Sequence, residues 1–540
     1  MTLGPLGRLG AWSARHGRPV AVAWVVLLLG LGALAPRAEH ALSGAGWEDS
    51  TSESVQAREL VQRDFAGNSG AALTVVVHSP DLTASDPAFR AAVADAEALL
   101  RADERVASVA GPRPGVSISR DGHTALVVAG AAGSTTDMVR AADDLKGPIA
   151  DVGREGVTLS LTGSSGMWSD FNTANKEAML RSEIMSWPVT LGILVLAFGA
   201  LVAAGLPLLL TILGLVATAG SLFLVAQAFD VSIWAMNFAL MFALALGIDY
   251  ALFLVARFRA ALLGGRMSPR DAAAVTMDTA GKAVLFSGLT VLISLSAVML
   301  VPSPAFRSMA LGIMLAVVFV LAATLTLLPV VLARLGERVN RGALPWVHRG
   351  GHRSPRFARW AERLWRRPAG AGAAALVLLL LLAAPVLGLR TGMPSIAVVP
   401  PDDPSRVGYE RVQAAFGPGA PGTLQIVAPA ADAARARAVA AADPGIASVA
   451  PVQPGGGGLA MVQATPRDDP SDPAVGDAID RLRSEAGLGP KALPPAVPEN
   501  PLADEFHKKF GAEFRDRYLT KGKLERYAAI DELKERVKKE

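Results

Sequence analysis

Long apolar runs alternate with polar segments along this chain of 540 residues. A helix needs about 20 mostly apolar residues to cross a bilayer. By that rule we predict seven spans, at residues 20–35, 184–204, 206–228, 233–256, 284–301, 309–335 and 369–389. The first run is the shortest, so a signal peptide cleaved near Ala35 is an alternative to an uncleaved anchor. Either interpretation places the segment that follows it outside the cytoplasm.

Residues 36–183 are too polar to span a bilayer, and a segment this long rarely lacks structure of its own. Its hydrophobic pattern predicts strands at 72–78, 106–110, 123–131 and 157–161, and helices at 87–102 and 136–152. The resulting order, β-α-β-β-α-β, is that of the ferredoxin-like or split βαβ unit. We therefore expect a folded α+β domain between the first and second spans.

The same order begins again after the seventh span. The pattern predicts strands at 424–427, 446–452 and 459–463 and helices at 431–442 and 473–485, and the expected last strand is missing. Residues 105–110 (RVASVA) match residues 445–450 (GIASVA), and each segment follows the first helix of its copy. Repeats of this kind are common in transporters. We predict a membrane α-helical bundle with one ferredoxin-like domain and a partial second one.

Composition supports a membrane protein, because 51% of the residues are hydrophobic, 19% are charged and the mean hydropathy is +0.37. The chain has no cysteine, which excludes disulfides, thiolate metal sites and cysteine nucleophiles. It also has no G-x-x-x-x-G-K-[ST] phosphate loop and no G-x-S-x-G motif. We therefore expect no enzyme activity, no metal and no cofactor.

The positive charge is concentrated beside the apolar runs, as a topology signal would be, so the pI near 9.4 does not indicate nucleic-acid binding. Three arginine clusters, at residues 8–18, 257–270 and 334–367, fall on one side if every span crosses. That side is the cytoplasm by the positive-inside rule. The predicted organisation is a cytoplasmic N-terminus and first span (1–35), a first outer domain (36–183), a five-span bundle (184–335), a basic loop (336–368), the seventh span (369–389), a partial outer domain (390–486) and a tail (487–540).

Most ionisable residues avoid the predicted spans, and Asp249 is the exception. A carboxylate there costs a few kcal/mol, so it should face the bundle interior or water and be functional. We expect it to take up and release a proton near neutral pH, with Tyr250, about 100° further round the helix, as its polar neighbour. Ala245, one turn earlier, would let another helix approach closely. The alternative is a tolerated charge at the end of the span, near Arg257.

The sequence around Asp249, Gly247-Ile248-Asp249-Tyr250 followed by Arg257 and Arg259, resembles the pattern in the fourth span of the MMPL family within the RND superfamily. Residues 42–44 (LSG), 280–288 (AGKAVLFSG) and 416–419 (FGPG) also resemble this family, and the resemblance covers residues 1–486, the first half of an actinobacterial-type member. It implies a proton relay of Asp249 and Tyr250. Gly247 and the hydroxyls of Ser287 and Thr290 on the fifth span are candidates to support that pair.

The resemblance implies a plasma-membrane transporter that exports lipids or other hydrophobic compounds by proton antiport. The family has twelve spans in two halves, with a second Asp-Tyr pair facing the first, and this chain reaches only the seventh. We therefore expect the chain to need a homo-oligomer or a separate second-half chain for activity. The alternative is a membrane scaffold or lipid-binding fragment that does not transport.

Lysine is rare before residue 499 and frequent after it, which predicts one or two charged helices at 504–540. Residues 517–531 (RYLTKGKLERYAAID) resemble a helical segment of polynucleotide phosphorylase. That segment supplies no catalytic part, so we expect no RNA chemistry from the tail.

Overall fold

The computed structural model describes residues 3–44, 47–48, 52–154, 156–343, 355–389 and 395–486. The tail with its predicted charged helices, and residues 344–354 of the basic loop, lie outside the described residues. The described chain up to Ala486 belongs to one compact unit.

Seven helices among the described residues are long and apolar enough to cross a membrane, which confirms the predicted number. They run through Gly17–Ala38, Ser164–Phe198, Leu201–Ala226, Trp234–Leu262, Pro269–Val298, Pro304–Asn340 and Pro368–Gly388. The fifth and sixth contain short π-helical turns at Met277–Gly281 and Ala323–Leu327. No described residue of the seventh span is buried.

The boundary between the second and third spans differs from the prediction. We predicted that the second span ends at residue 204, whereas the helix Ser164–Phe198 stops six residues earlier. It is capped by Gly199, which has a φ of 67°. Glycine adopts this left-handed conformation readily and commonly terminates helices. The same helix also begins twenty residues before the predicted span, so the outer domain and the second span share one continuous helix of 35 residues.

Several helices outside the predicted apolar runs were not predicted, because they are short and only partly apolar. They are Pro5–Arg15, Ala35–Ala41, Glu53–Asp64, Pro355–Arg366 and Pro404–Phe416, together with Pro269–Thr276, with which the fifth span begins. Four of these six begin at a proline. Proline suits the first position of a helix because its missing N–H would have no partner there.

Glycines let the spans of the bundle pack closely. A Cβ at Gly220 would lie 2.1 Å from the carbonyl oxygen of Leu31, which brings the third span against the first. A Cβ at Gly312 would lie 2.2 Å from the carbonyl oxygen of Ala235, which brings the sixth span against the fourth. These backbones touch at distances that no larger residue would permit.

The loops of the bundle gather at two ends. At one end, the Gly4 N–H donates to Asp278 at 3.0 Å, and the guanidinium of Arg259 donates to the Phe198 carbonyl. At the other end, the Ser232 N–H donates to the hydroxyl of Ser308 at 3.0 Å. The N-terminal helix and the segment after the fourth span therefore lie at the same end, as the predicted grouping of the arginine clusters requires.

The first sheet contains the four predicted strands, β1 (Leu73–His78), β2 (Val106–Ala110), β3 (Thr124–Ala131) and β4 (Thr158–Thr162). Helices Pro87–Ala102 and Thr135–Asp151 fall where the pattern predicted them, so the β-α-β-β-α-β order is confirmed. The strands pair antiparallel in the order β2-β3-β1-β4. Their apolar side chains pack on both helices, with Phe89 and Met138 fully buried.

The second sheet repeats this plan. It contains β5 (Leu424–Pro429), β6 (Ile446–Val449), β7 (Gln453–Pro454) and β8 (Leu459–Pro466), with helices Ala433–Ala442 and Pro473–Ala486. β8 lies between β5 and β6, and β7 also pairs with β8. The matched segments are equivalent in detail, since the register shifts between Val106 and Ser108 in β2 and between Ile446 and Ser448 in β6.

The two sheets exchange helices. Helix Pro404–Phe416, which precedes the second sheet, packs on the first sheet, where the Thr162 hydroxyl donates to the Ser405 carbonyl at 2.7 Å. Helix Glu53–Asp64, which precedes the first sheet, contacts the second, and the Gln425 amide donates to the nearby Asn68 carbonyl at 2.7 Å. Each sheet therefore packs against the helix that precedes the other sheet in the chain.

Candidate proton site

Asp249 lies in the fourth span, in the helix Trp234–Arg259, ten residues before its end. Its side chain is exposed on the surface of the described chain. The exposed residues around it recur every three or four positions and form one stripe along the helix, because an α-helix has 3.6 residues per turn. This stripe, the Asp249 face, consists of Met241, Ala245, Asp249, Leu252 and Ala256.

Tyr250 points into the bundle, not towards Asp249. Its side chain is buried at 5% exposure within the apolar core, and its hydroxyl has no hydrogen-bond partner among the described residues. The structure therefore contains no hydrogen bond between Asp249 and Tyr250, and their relay stays a prediction. The physical reason is helix geometry, because consecutive residues lie about 100° apart and here only one of them falls on the exposed stripe.

The two arginines that follow Asp249 on this helix donate hydrogen bonds to other residues. Arg257 donates to the Thr279 hydroxyl at 3.1 Å, and Arg259 donates to the Phe198 carbonyl at the end of the bundle. On a straight helix, eight residues separate Asp249 from Arg257 by about 12 Å. The hydrogen bonds of these arginines therefore do not support the alternative in which Asp249 is a tolerated charge paired with them at the end of the span.

Gly247 is buried against the third span. A Cβ built on it would lie 2.3 Å from the Thr211 hydroxyl oxygen, and that hydroxyl donates to the Pro207 carbonyl at 3.0 Å within its own helix. The glycine thus allows the third and fourth spans to approach two residues before Asp249. Thr211 was missed from the sequence, because threonine in an apolar helix gives no signal of what it packs against.

The two candidate hydroxyl residues of the fifth span, Ser287 and Thr290, are both exposed. Thr290 donates to the Phe286 carbonyl at 2.8 Å, which is the usual local bond of a hydroxyl in a helix. The fifth span packs on the sixth, where a Cβ at Gly288 would lie 2.9 Å from the Leu321 side chain. No hydrogen bond joins either hydroxyl to Asp249 in the part of the chain that the structure describes.

Comparison with known proteins identifies the family. The MMPL family model matches residues 46–371, which include the first sheet, five complete spans and Asp249. The chain belongs to the MMPL family. This MMPL protein therefore carries the Gly-Ile-Asp-Tyr segment in the span where the resemblance placed it.

Curated relatives agree with this assignment. The MMPL protein is 30% identical over 501 residues to the mycolic acid-containing lipids exporter MmpL11 of Mycolicibacterium smegmatis, covering 88% of this chain and 52% of the relative. It is 29% identical over 491 residues to membrane protein YdfJ of Bacillus subtilis, covering 88% and 66%. It is 30% identical over 491 residues to the heme uptake protein MmpL11 of Mycobacterium tuberculosis, covering 86% and 50%. The chain thus spans about half to two thirds of the length of these relatives.

Proposed function

We propose that this MMPL protein is an RND-type transporter that uses the proton-motive force to export lipids or other hydrophobic compounds. Asp249 would carry the proton. The observation that supports this most directly is the exposed carboxylate in the middle of an apolar helix, on a stripe that otherwise holds small and apolar side chains. Intramembrane carboxylates are rare and mark ion or proton pathways.

The Asp249 face needs a cover in the membrane. A carboxylate facing hydrocarbon is costly, by about 2.5–3.5 kcal/mol at a helix centre on insertion scales. Ala245 and Ala256 on the same stripe would let a second helix pack closely beside the carboxylate. We propose that a helix of a second copy of the chain, or of a separate polypeptide, covers this face and supplies the polar partner of Asp249.

We propose that the other predicted site residues support Asp249 in proton transfer. Tyr250 follows Asp249 in the chain and its hydroxyl has no hydrogen-bond partner among the described residues, so a change of side-chain rotamer would be needed to bring it into the proton path. Gly247 maintains the close contact with Thr211 that positions this part of the fourth span. Ser287 and Thr290 present exposed hydroxyls that a covering helix could reach.

We propose that the two α+β units are ferredoxin-like porter domains on the outer side of the plasma membrane, where they guide the cargo. The N-terminus would be cytoplasmic, since the arginine-rich segments gather at the opposite end of the bundle from the sheets. A lipid cargo is supported by the relative named as a lipid exporter, and the relative named for heme uptake points to the same hydrophobic class. We propose no catalytic activity.

The deciding experiment measures proton flux in proteoliposomes that contain a pH-sensitive dye and a candidate lipid cargo. The purified protein is first separated by size-exclusion chromatography, and light scattering gives the mass of each fraction. Each fraction is then reconstituted separately. We expect substrate-linked proton flux only from fractions in which the Asp249 face is covered, as a dimer or with a second chain. Asp249→Asn keeps the size of the side chain and removes its titration, so flux should fall to the level of liposomes without protein.

Glu177→Gln is the matched control, because it also removes one carboxylate but from an exposed position on the helix that leads into the second span. It should transport like the wild-type protein. Normal flux from Asp249→Asn would refute the proton-carrier role, and flux from a monodisperse monomer would refute the need for a cover. Lipid binding without flux in any fraction would favour a scaffold that does not transport.

A further inference from the structure

The helix Pro355–Arg366, here called the juxtamembrane helix, divides its side chains into an apolar face and a basic face. At about 100° per residue, four large or small apolar side chains fall within about 140° of its circumference. They are Trp360, Ala361, Leu364 and Trp365. The opposite side carries Arg359, Arg363 and Arg366, with Glu362 beside them. Helices with basic residues on one face and tryptophan and leucine on the other lie in membrane interfaces.

Both faces of the juxtamembrane helix are exposed on the described chain. All residues from 358 to 366 are exposed. Trp365 is 86% exposed, Trp360 56% and Leu364 37%. Exposure of such large apolar side chains to water is unfavourable, whereas tryptophan is enriched where the hydrocarbon core meets the headgroups. The apolar face is therefore suited to the boundary between headgroups and acyl chains.

The connection to the seventh span places this helix directly beside the membrane. Arg367 alone separates it from the span, which begins at Pro368. Arg367 has a φ of −137° and a ψ of 59°, which are not helical values, so the chain bends between the two helices. The bend allows the juxtamembrane helix to lie along the membrane surface while the span crosses the bilayer.

The seventh span begins at the arginine-rich end of the bundle. The sixth span ends there, since a Cβ at Gly336 would lie 3.1 Å from the side chain of Pro269. The seventh span has 21 residues, about 32 Å of helix, and ends at Gly388. The second outer unit follows it, and its Ser405 N–H donates to Asp170 of the long helix from the first outer domain at 2.9 Å. The juxtamembrane helix therefore meets the leaflet at the arginine-rich end, which is the cytoplasmic leaflet in the proposed orientation.

The charge of this segment favours an anionic partner. Between residues 358 and 367, four arginines and one glutamate leave a net charge of +3. Glu362 pairs with Arg366 at 2.6 Å, and Arg363 has no salt bridge among the described residues. Basic clusters beside a span attract the anionic lipids of the cytoplasmic leaflet. A second copy of the same helix would instead bring like charges together.

We propose that the juxtamembrane helix lies in the headgroup layer of the cytoplasmic leaflet and binds anionic phospholipids. Arg359 and Arg363 donate to lipid phosphates, while Trp360, Leu364 and Trp365 enter the boundary of the acyl chains. These lipids are an anchor and not the cargo. They hold the cytoplasmic end of the seventh span, of which no described residue is buried. The inference takes only the orientation of the bundle from the proposed function and does not depend on proton transport.

The test measures which lipid lies beside the helix in the full chain. Ala361 is exposed on the apolar face and the chain has no native cysteine, so Ala361→Cys can carry a single NBD fluorophore. The labelled protein is reconstituted in nanodiscs with equal amounts of phosphatidylglycerol and phosphatidylcholine, and a doxyl quencher is placed on the acyl chain of one lipid or the other. We expect phosphatidylglycerol to be enriched about five-fold or more, the effect of about one arginine at the surface. Raising the NaCl concentration from about 0.1 M to about 1 M should remove most of this enrichment.

Arg359→Gln/Arg363→Gln should reduce the enrichment about five-fold or more. Arg90→Gln/Arg101→Gln is the matched control, because it removes the same charge from an exposed position at each end of a helix in the first outer domain, and it should change nothing. If the first variant does not insert, the salt dependence with the native arginines decides the question.

Equal quenching by the two lipids, or an equal loss of enrichment in both arginine variants, would overturn the proposal. Quenching by neither lipid would also overturn it, and disulfide formation between two unlabelled Ala361→Cys chains would then assign the helix to a second copy. Because no proton gradient and no cargo are present, a negative result would leave the proton-flux test standing. Failure of that test would leave the lipid anchor standing.

Discussion

Gly247 and Thr211 bring the third and fourth spans into contact two residues before Asp249, and a methyl group on Gly247 would lie 2.3 Å from the threonine hydroxyl oxygen. Helices in membranes associate through such close packing of small residues. The contact therefore helps to define where the proposed proton carrier stands.

Gly247→Ala should destabilise the bundle by about 1–3 kcal/mol, the usual cost of overpacking. Thr211→Ala should restore part of this loss in the double variant, because it removes the atom that the new methyl group meets. Gly205→Ala in the third span is the control, since a Cβ there has no neighbour within 4 Å. Thermal unfolding in detergent, followed by size-exclusion chromatography, measures the effect. Equal stability of the Gly247→Ala and Gly205→Ala proteins would contradict the packing argument.

Tyr250→Phe should separate stability from transport. The tyrosine hydroxyl is buried without a hydrogen-bond partner among the described residues, so its removal should leave the unfolding temperature unchanged or slightly raise it. If the hydroxyl takes part in the relay, substrate-linked proton flux should nevertheless fall, by about ten-fold or more for a lost proton-transfer partner. A variant with normal flux would show that Tyr250 is only part of the apolar core.

The orientation of the bundle can be tested by labelling, because the chain has no native cysteine. Gly147 is exposed on a helix of the first outer domain, and Gly264 is exposed at the end of the bundle that holds the arginine clusters, with open space around both. In intact cells, a membrane-impermeant maleimide should label Gly147→Cys. It should label Gly264→Cys only after the cells are permeabilised. The reverse pattern would place the N-terminus outside.

Acid should loosen the second α+β unit through Asp443. This carboxylate accepts two hydrogen bonds from the Arg481 guanidinium, at 2.8 Å each, and one from the Gly445 N–H. These bonds hold the pKa of Asp443 below its ordinary value of 3.8. Because the folded-state pKa is depressed, the stabilisation is fully present above about pH 5 and is lost as the pH falls through 3.8 towards the folded value.

Hydrogen exchange of the helix Pro473–Ala486 between pH 7 and pH 3.5, corrected for intrinsic rates, measures this loss. Asp443→Asn should be less protected than the wild-type protein at pH 7 and change less with pH. Asp477→Asn, at an exposed position of the same helix, should behave like the wild-type protein. Identical pH profiles for Asp443→Asn and the wild-type protein would exclude this carboxylate as the source.

Helix and strand positions in the outer units were predictable because each depends on its own stretch of sequence. Helix Pro87–Ala102 and strand Val106–Ala110 match the hydrophobic pattern to the residue. The end of the second span was not predictable, because an apolar run continues through Gly199. Only the left-handed backbone of Gly199 shows where the helix stops. The exchange of helices between the sheets was not predictable either, because residues such as Thr162 and Ser405 meet from opposite parts of the chain.

The sequence by itself determined that this is a multi-span membrane protein with two related α+β units and a carboxylate at Asp249, because chain-local hydrophobicity and periodicity carry that information. Only the tertiary structure decided that Asp249 faces outward while Tyr250 faces the core, and that Gly247 packs on Thr211. A helix pattern shows which residues share a face. It does not show which neighbour that face meets, since that depends on contacts between segments far apart in the chain.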